Sequence, residues 1–232
     1  MSENRQTERE ARILAAAAAL IIRYGYDKTT VDEIAQEAGV SKGAIYLHFK
    51  SKEDLFEALV LRESEAITAR FYELLDADPR GVSIFTIYLY GMRVLDDSPL
   101  LKAIYTRDRR ILGDWVRRLR DTPAYGQALT VTVEFIRHFQ EVGLLRRDLD
   151  PEAVTYLLTA LRYGILTMDN YLPSMEAVPS VERLSDALAE MLTDGLAPRA
   201  GEGDQEAGRA ELQRLMDVRL QFVEQRRSLG RV

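Results

Sequence analysis

The chain has 232 residues, 47% of them hydrophobic and 29% charged, enough apolar material for one or two domains with a sizeable core. It has no cysteine, which excludes disulfides and thiolate metal sites; no apolar run approaches the ~20 residues of a membrane span and no signal-peptide pattern opens the chain, so a soluble cytoplasmic protein is expected. A formal net charge of −6 does not advertise a nucleic-acid binder, yet residues 1–52 hold eight Lys/Arg against seven Asp/Glu, so the acidity lies in the remainder.

Thr7-Glu8-Arg9-Glu10 has capping-box spacing, and Ile13, Leu14, Ala17, Ile21 and Tyr24 recur at helical intervals before Gly25, which predicts a first helix with one apolar face. The run from Ala15 to Ala19 reads as a strong helix former that packs closely. Thr30 and Glu33 make a second capping box, opening a helix with Val31, Ile34, Ala35 and Ala38 on one side and Gly39 placed to end it. Ser41 then caps a short helix in Ser41-Lys42-Gly43-Ala44-Ile45-Tyr46-Leu47-His48-Phe49-Lys50-Ser51-Lys52, with Ile45 and Phe49 as its inward stripe. The other side carries Lys42, Gly43, Ala44, Tyr46, Leu47 and His48. Small residues there let the backbone approach a groove floor, while Lys42, Tyr46 and His48 can reach base edges or phosphate oxygens. Tyr46 has an alternative place in the core of the head. Two short helices joined at Gly39-Val40 make a helix-turn-helix.

From about Thr7 to Leu61, with Gly25-Tyr26, Thr29-Thr30-Val31, Ile34-Ala35, Ala38-Gly39-Val40-Ser41, Gly43-Ala44-Ile45-Tyr46, His48-Phe49 and Lys52-Glu53-Asp54-Leu55, the chain resembles the DNA-binding domain of the tetracycline-repressor (TetR) family of bacterial transcription regulators. The resemblance covers roughly the first quarter of the chain. It implies that Thr30, Tyr46, His48 and Lys52 hold phosphates while Ser41, Lys42, Gly43, Ala44 and Leu47 face the major groove. It also implies an all-α fold: a three-helix DNA-binding domain over residues 1–52 and a helical effector-binding and dimerisation domain over 53–196. Residues 197–232, a linker and an amphipathic helix, depart from the family pattern, in which the dimer-forming helices close the chain. Repression is inferred from the family alone.

Residues 52–75 read as one long helix, with Leu55, Phe56, Leu59, Val60, Ile67, Phe71, Leu74 and Leu75 on its apolar face. Asp76-Ala77-Asp78-Pro79-Arg80-Gly81 breaks it, and Asp96-Asp97-Ser98-Pro99 closes a mostly apolar helix over 82–95. Residues 100–120 read as one helix bearing Trp115 and the charge run Arg107, Arg109, Arg110, Arg117, Arg118 and Arg120, a solvated face rather than an anion site. Thr122-Pro123 opens a helix to Gly143, Asp150-Pro151-Glu152 one over 151–171, and Ser180 one over 181–194. The 151–171 segment has so little polar surface that it suits either a dimer interface or the centre of a monomer, and Ala160 and Gly164 would allow a close crossing. An intermolecular four-helix bundle would use Leu157, Ala160, Leu161, Gly164, Leu184, Leu188 and Met191. The tail, residues 209–227, carries Leu212, Leu215, Met216, Phe222 and Val223 and either docks or hangs free.

An effector site is expected among the helices over 82–95, 100–120, 123–142 and 151–171, where Phe85, Tyr88, Met92, Tyr105, Trp115, Phe135, Tyr156 and Tyr163 are concentrated. Rings around few polar groups suit a largely apolar ligand. Arg93 and Arg162 lie within hydrophobic helices and need an acidic partner or a bound anion; a fatty acid or acyl thioester satisfies both observations. The alternative is plain core, with the arginines paired to Glu134, Asp169 or solvent. Catalysis lacks a constellation: His48 and His138 are isolated, Gly39-Val40-Ser41-Lys42-Gly43 is no phosphate loop, and no metal-ligand cluster or cofactor motif is visible. The expected protein is a homodimeric, ligand-responsive regulator of double-stranded operator DNA, with no membrane partner; the alternative is a helical small-molecule-binding or enzymatic module that retains a helix-turn-helix.

Overall fold

The computed structural model describes residues 2–120, 124–168, 181–198 and 203–229, all helix and connecting turns with no strand among them. Two compact units form, one from residues 1–66, 98–121 and 220–232, the other from 67–97 and 122–219. Packing thus groups the chain differently from boundaries at 52 and 196.

In the first unit, α1 (Ser2–Tyr24), α2 (Val31–Ala38), α3 (Lys42–Tyr46) and the part of α4 (Lys52–Asp76) up to residue 66 surround a core of Ile13, Ile21, Ile34, Ile45, Leu55, Phe56 and Leu59. Each such side chain contributes about 1.5–3 kcal/mol by leaving water. Because α1 already starts at Ser2, Thr7 lies inside the helix and is not its cap. Tyr24 is exposed, with Arg23 over its ring, rather than on the inward face.

The segment expected as one helix over 100–120 is three: α6 (Pro99–Thr106), α7 (Arg109–Leu112) and α8 (Trp115–Arg120). Arg107 takes a left-handed conformation, Asp108 caps the next turn by accepting from the Arg110 N–H, and Gly113 turns again at positive φ. The breaks let Leu100, Ala103, Leu112 and Trp115 all reach the first unit's core, which a straight rod would not. Tyr26, Phe56 and Trp115 stack edge to face at 4.9 and 4.8 Å between centroids. The Tyr26 N–H donates to the Ile111 carbonyl at 2.7 Å, and a Cβ at Gly25 (φ +90°) would stand 2.7 Å from the Arg110 carbonyl oxygen, so glycine is required there.

The second unit contains the rest of α4, α5 (Ile84–Asp96), α9 (Ala124–Glu141), α10 (Pro151–Thr167), α11 (Val181–Leu196) and α12 (Gln205–Leu229) up to residue 219. Ser83, with Thr86, caps α5, and Asp150 caps α10 by accepting from the Ala153 N–H at 2.8 Å. The expected caps at Thr122-Pro123 and Ser180 lie outside the described residues. One core cluster joins Phe71, Leu75, Val82, Phe135, Phe139, Val154 and Leu212; a second joins Phe85, Tyr88 and Met92 of α5 to Leu188 and Leu192 of α11.

The tail helix starts at Gln205, earlier than residue 209, and belongs to this core. Leu212 is fully buried, Leu215 and Met216 pack beside it, and the Leu212 carbonyl accepts from the Tyr72 hydroxyl at 3.3 Å. The Gln205 side chain accepts from the Val82 N–H at 2.8 Å, and Arg209 pairs with Asp76. The side chains of Phe222 and Val223 are outside the described set.

Candidate DNA-binding and effector sites

Thr30 caps α2 with both halves of a capping box: the Glu33 N–H donates to its hydroxyl at 3.2 Å, and the Glu33 carboxylate accepts from its backbone N–H at 2.8 Å. These bonds, the backbone one first, hold the Glu33 carboxyl below its ordinary range. Gly39 ends α2 in the left-handed region, and Ser41 caps α3 by accepting from the Ala44 N–H. Ile45 and Phe49 are buried as the stripe requires. Ser41, Lys42, Gly43, Tyr46 and Leu47 are exposed and Ala44 half-exposed. Tyr46, at 49% exposure, is not a core residue, and Leu47 stands out at 80%.

Three features of this face differ from the expectation or were missing from it. The His48 side chain is only 4% exposed, its Nδ1 3.7 Å from the Glu10 carboxylate, so it faces α1 and not the groove side. The reason is local: α3 ends at Tyr46, and the turn through Leu47 swings His48 inward beside Phe49. Lys52 is half-buried, its ammonium donating to the Tyr26 carbonyl and lying 4.1 Å from the Tyr26 ring centroid; burial lowers its pKa. Lys42 donates to Asp32 at 2.8 Å, and this hydrogen bond raises its pKa. Asp32 was overlooked because ten residues separate the pair and only the helix-turn-helix fold brings them together.

The residues expected around an effector do not converge as a set. Tyr105 and Trp115 belong to the first unit, where Trp115 is core. Phe135 packs against Phe139 in the cluster beneath the tail helix. Tyr156 and Tyr163 are exposed on α10, and Arg93 is exposed near the end of α5. Phe85, Tyr88 and Met92 do come together, and the Arg162 guanidinium carbon sits 4.8 Å from the Tyr88 ring centroid. Of the two arginines only Arg162 is held inward; Asp169 lies outside the described residues, and Glu134 pairs with Arg137 instead.

On α10, Leu157, Ala160 and Leu161 are exposed with Tyr156, Tyr163 and Met168, at spacings that make one continuous stripe. Gly164 belongs to it, and a Cβ added there would meet nothing within 4 Å. Met191 is exposed on α11, Leu184 is half-buried, and Leu188 is turned into the protomer's own cluster, away from any partner, because it completes the packing on Phe85 and Tyr88. No helix among the described residues is long and apolar enough to cross a membrane, and none of those residues group as a metal site.

A capped helix-turn-helix that buries Ile45 and Phe49 and turns a lysine, a glycine and a tyrosine outward defines a DNA-binding head. Residues 13–59 match the family model described as bacterial regulatory proteins, tetR family. The HTH-type transcriptional regulator UidR of Escherichia coli is 26% identical over 184 residues, 72% of this chain and 85% of UidR. A TetR transcriptional regulator from Chloroflexus aurantiacus superposes with a TM-score of 0.58 at 25% identity, covering 84% of this chain and 99% of that one. The regulator FadR of Bacillus subtilis, solved in complex with stearoyl-CoA, has a TM-score of 0.59 at 21% identity over 80% of this chain and 98% of its own. The head of this chain, over residues 13–59, is thus similar to the DNA-binding domain of the TetR family.

Proposed function

We propose that this protein is a ligand-responsive transcriptional regulator that binds an inverted-repeat operator as a homodimer and is released by a small, largely apolar effector. The observation that carries the DNA-binding part is the α3 surface: Lys42, Gly43, Tyr46 and Leu47 exposed on a helix whose other side is buried. Lys42 reads a base edge, Gly43 and Ala44 let the backbone enter the groove with Ser41 and Leu47 beside them, and Thr30 and Tyr46 hold phosphates. Lys52 braces the Tyr26 turn and offers its charge to a nearby phosphate. His48 supports α3 from behind. The reading assigns the protein to the cytoplasm and gives it no catalysis.

The apolar stripe on α10, with Met191 on α11, supports dimerisation, because exposed leucines and tyrosines at helical spacing gain by covering one another. Two recognition helices then meet successive major grooves about 34–36 Å apart. The apolar cluster of α5 and α11 supports an apolar effector, and the stearoyl-CoA bound by the structurally similar FadR is in keeping with a fatty acid or acyl thioester. Such a ligand releases DNA only by binding one conformation of the dimer better than the other.

Fluorescence anisotropy with labelled DNA from upstream of the protein's own gene tests the central claim. Nanomolar binding at low salt is expected, steeply weakened by added salt and much weaker on a shuffled sequence. Equal affinity for both sequences would refute the regulator.

A further inference from the structure

Two polar groups on α10 stand buried with no hydrogen-bond partner. Thr155 is 1% exposed with its hydroxyl unanswered, and seven residues on, along the same helical face, the Arg162 Nε–H is buried and unanswered too. The Arg162 guanidinium lies over the Tyr88 ring, and its Nη2 stands 3.5 Å from where a Cβ at Gly91 would be, an ordinary contact that places it beside α5. Among the described residues no carboxylate pairs with Arg162. Tyr88 belongs to the apolar cluster with Phe85, Met92, Leu188 and Leu192.

A partly buried cation with an unused donor costs free energy, and a tyrosine face recovers only part of it. Side chains on a helix lean toward its N-terminus, which carries the Arg162 head back along α10 in the direction of Thr155. An incoming oxygen anion would satisfy the Nε–H and neutralise the guanidinium. The flanking cluster would hold an alkyl chain attached to it.

We infer that Arg162, assisted by Thr155, seats an anionic oxygen group at the end of an apolar effector and selects such ligands over neutral ones of equal chain length. The inference rests on the apolar-effector reading and adds its charged determinant. Free carboxylate and the phosphates of an acyl carrier share this chemistry.

Isothermal titration of the full-length protein with dodecanoate, dodecanoyl-CoA and dodecanol, each below its micellar concentration, tests it. At least one anionic ligand should bind the wild type about tenfold or more tighter than dodecanol, a ratio on the scale of a charge-assisted hydrogen bond, and the preferred one identifies the source of the anion. Arg162→Met should bring the ratio close to one and, without ligand, should melt at a higher temperature than wild type, because an unanswered charge gives way to an apolar side chain. Thr155→Val, nearly isosteric, should lower the ratio by a few-fold and gives a second reading should Arg162→Met fail to fold. Equal binding of acid and alcohol by the wild type overturns the seat and leaves the apolar effector standing; no binding of any of the three overturns both. An Arg162→Met protein that keeps the preference, or melts below wild type, gives the guanidinium a structural partner and likewise overturns the assignment.

Discussion

On α3 the exposed apolar side chains, Tyr46 and Leu47, stand beside Lys42, Ser41 and Gly43 on a helix of five residues. On α10 the exposed ones, Tyr156, Leu157, Leu161 and Tyr163, run along a helix of 17 residues whose exposed face offers one carboxylate, Glu152. The first surface mixes cation, hydroxyl and small residues as a polyanion's groove demands; the second is what an apolar helix pair demands. The interiors are alike in one respect: the Trp115 Nε1–H in the head and the Thr155 hydroxyl and Arg162 Nε–H in the second unit are all buried without a hydrogen-bond partner. The two regions differ in the surfaces they turn outward.

The contrast is broken most forcefully on α10. Leu157→Glu places a charge in the stripe without touching the protomer's core, since Leu157 is 66% exposed; light scattering should give a monomer, and operator affinity should fall by roughly 10²–10⁴-fold as bivalent binding is lost. A Leu157→Glu protein that stays dimeric would move the interface elsewhere. Next comes the tail: Leu212→Ala empties a fully buried site and should cost about 2–5 kcal/mol in urea unfolding, an effect near zero showing the helix to be a dispensable appendage.

The head sharpens the comparison by separating affinity from stability. Gly43→Ala adds a methyl that meets only the Ser41 hydroxyl oxygen, at 3.9 Å; melting should be unchanged or slightly raised, while DNA binding should weaken by at least about tenfold if the backbone enters the groove. Lys42→Met should lower discrimination at one base position by about tenfold with little loss on shuffled DNA. The smallest effect is at Thr30→Ala, expected to cost about 1 kcal/mol at neutral pH. The folded Glu33 carboxyl titrates below its ordinary range, so the carboxylate half of the capping box contributes fully above the unfolded value and is lost as pH falls through the depressed one. The gap between the unfolding midpoints of wild type and Thr30→Ala should therefore narrow as pH falls below the ordinary carboxylate range, because the bond from the Thr30 hydroxyl to the Glu33 carboxylate is lost, and a constant gap would show that this bond contributes nothing.

Local rules made the head legible from the residues alone. Capping chemistry at Thr30 and Ser41, a left-handed glycine at Gly39 and the Ile45/Phe49 stripe each act within a few residues, and each stands in the structure as the pattern implies. Helix periodicity likewise marked α4, α5, α10 and α11 to within a few residues. Pattern was less informative where partners come from far along the chain. Trp115 and Tyr105 looked like effector-pocket residues because their helix read as part of the second domain, but breaks at Arg107 and Gly113 fold that segment onto the first unit. An apolar residue on an apolar helix carries no sign of which neighbour it meets, so Tyr156 and Tyr163 could not be told from core, nor Leu188 from interface. Arg93 and Arg162 had equal claims by sequence; only packing turned one outward and laid the other over Tyr88. Short-range hydrogen bonding and periodicity are written residue by residue, and so the sequence by itself determined most of the elements and the exposed face of α3, though not the breaks within 100–120 or the inward turn of His48. Which apolar faces meet, where the tail docks and which cation is held inward depend on long-range burial, and these only the tertiary structure decided.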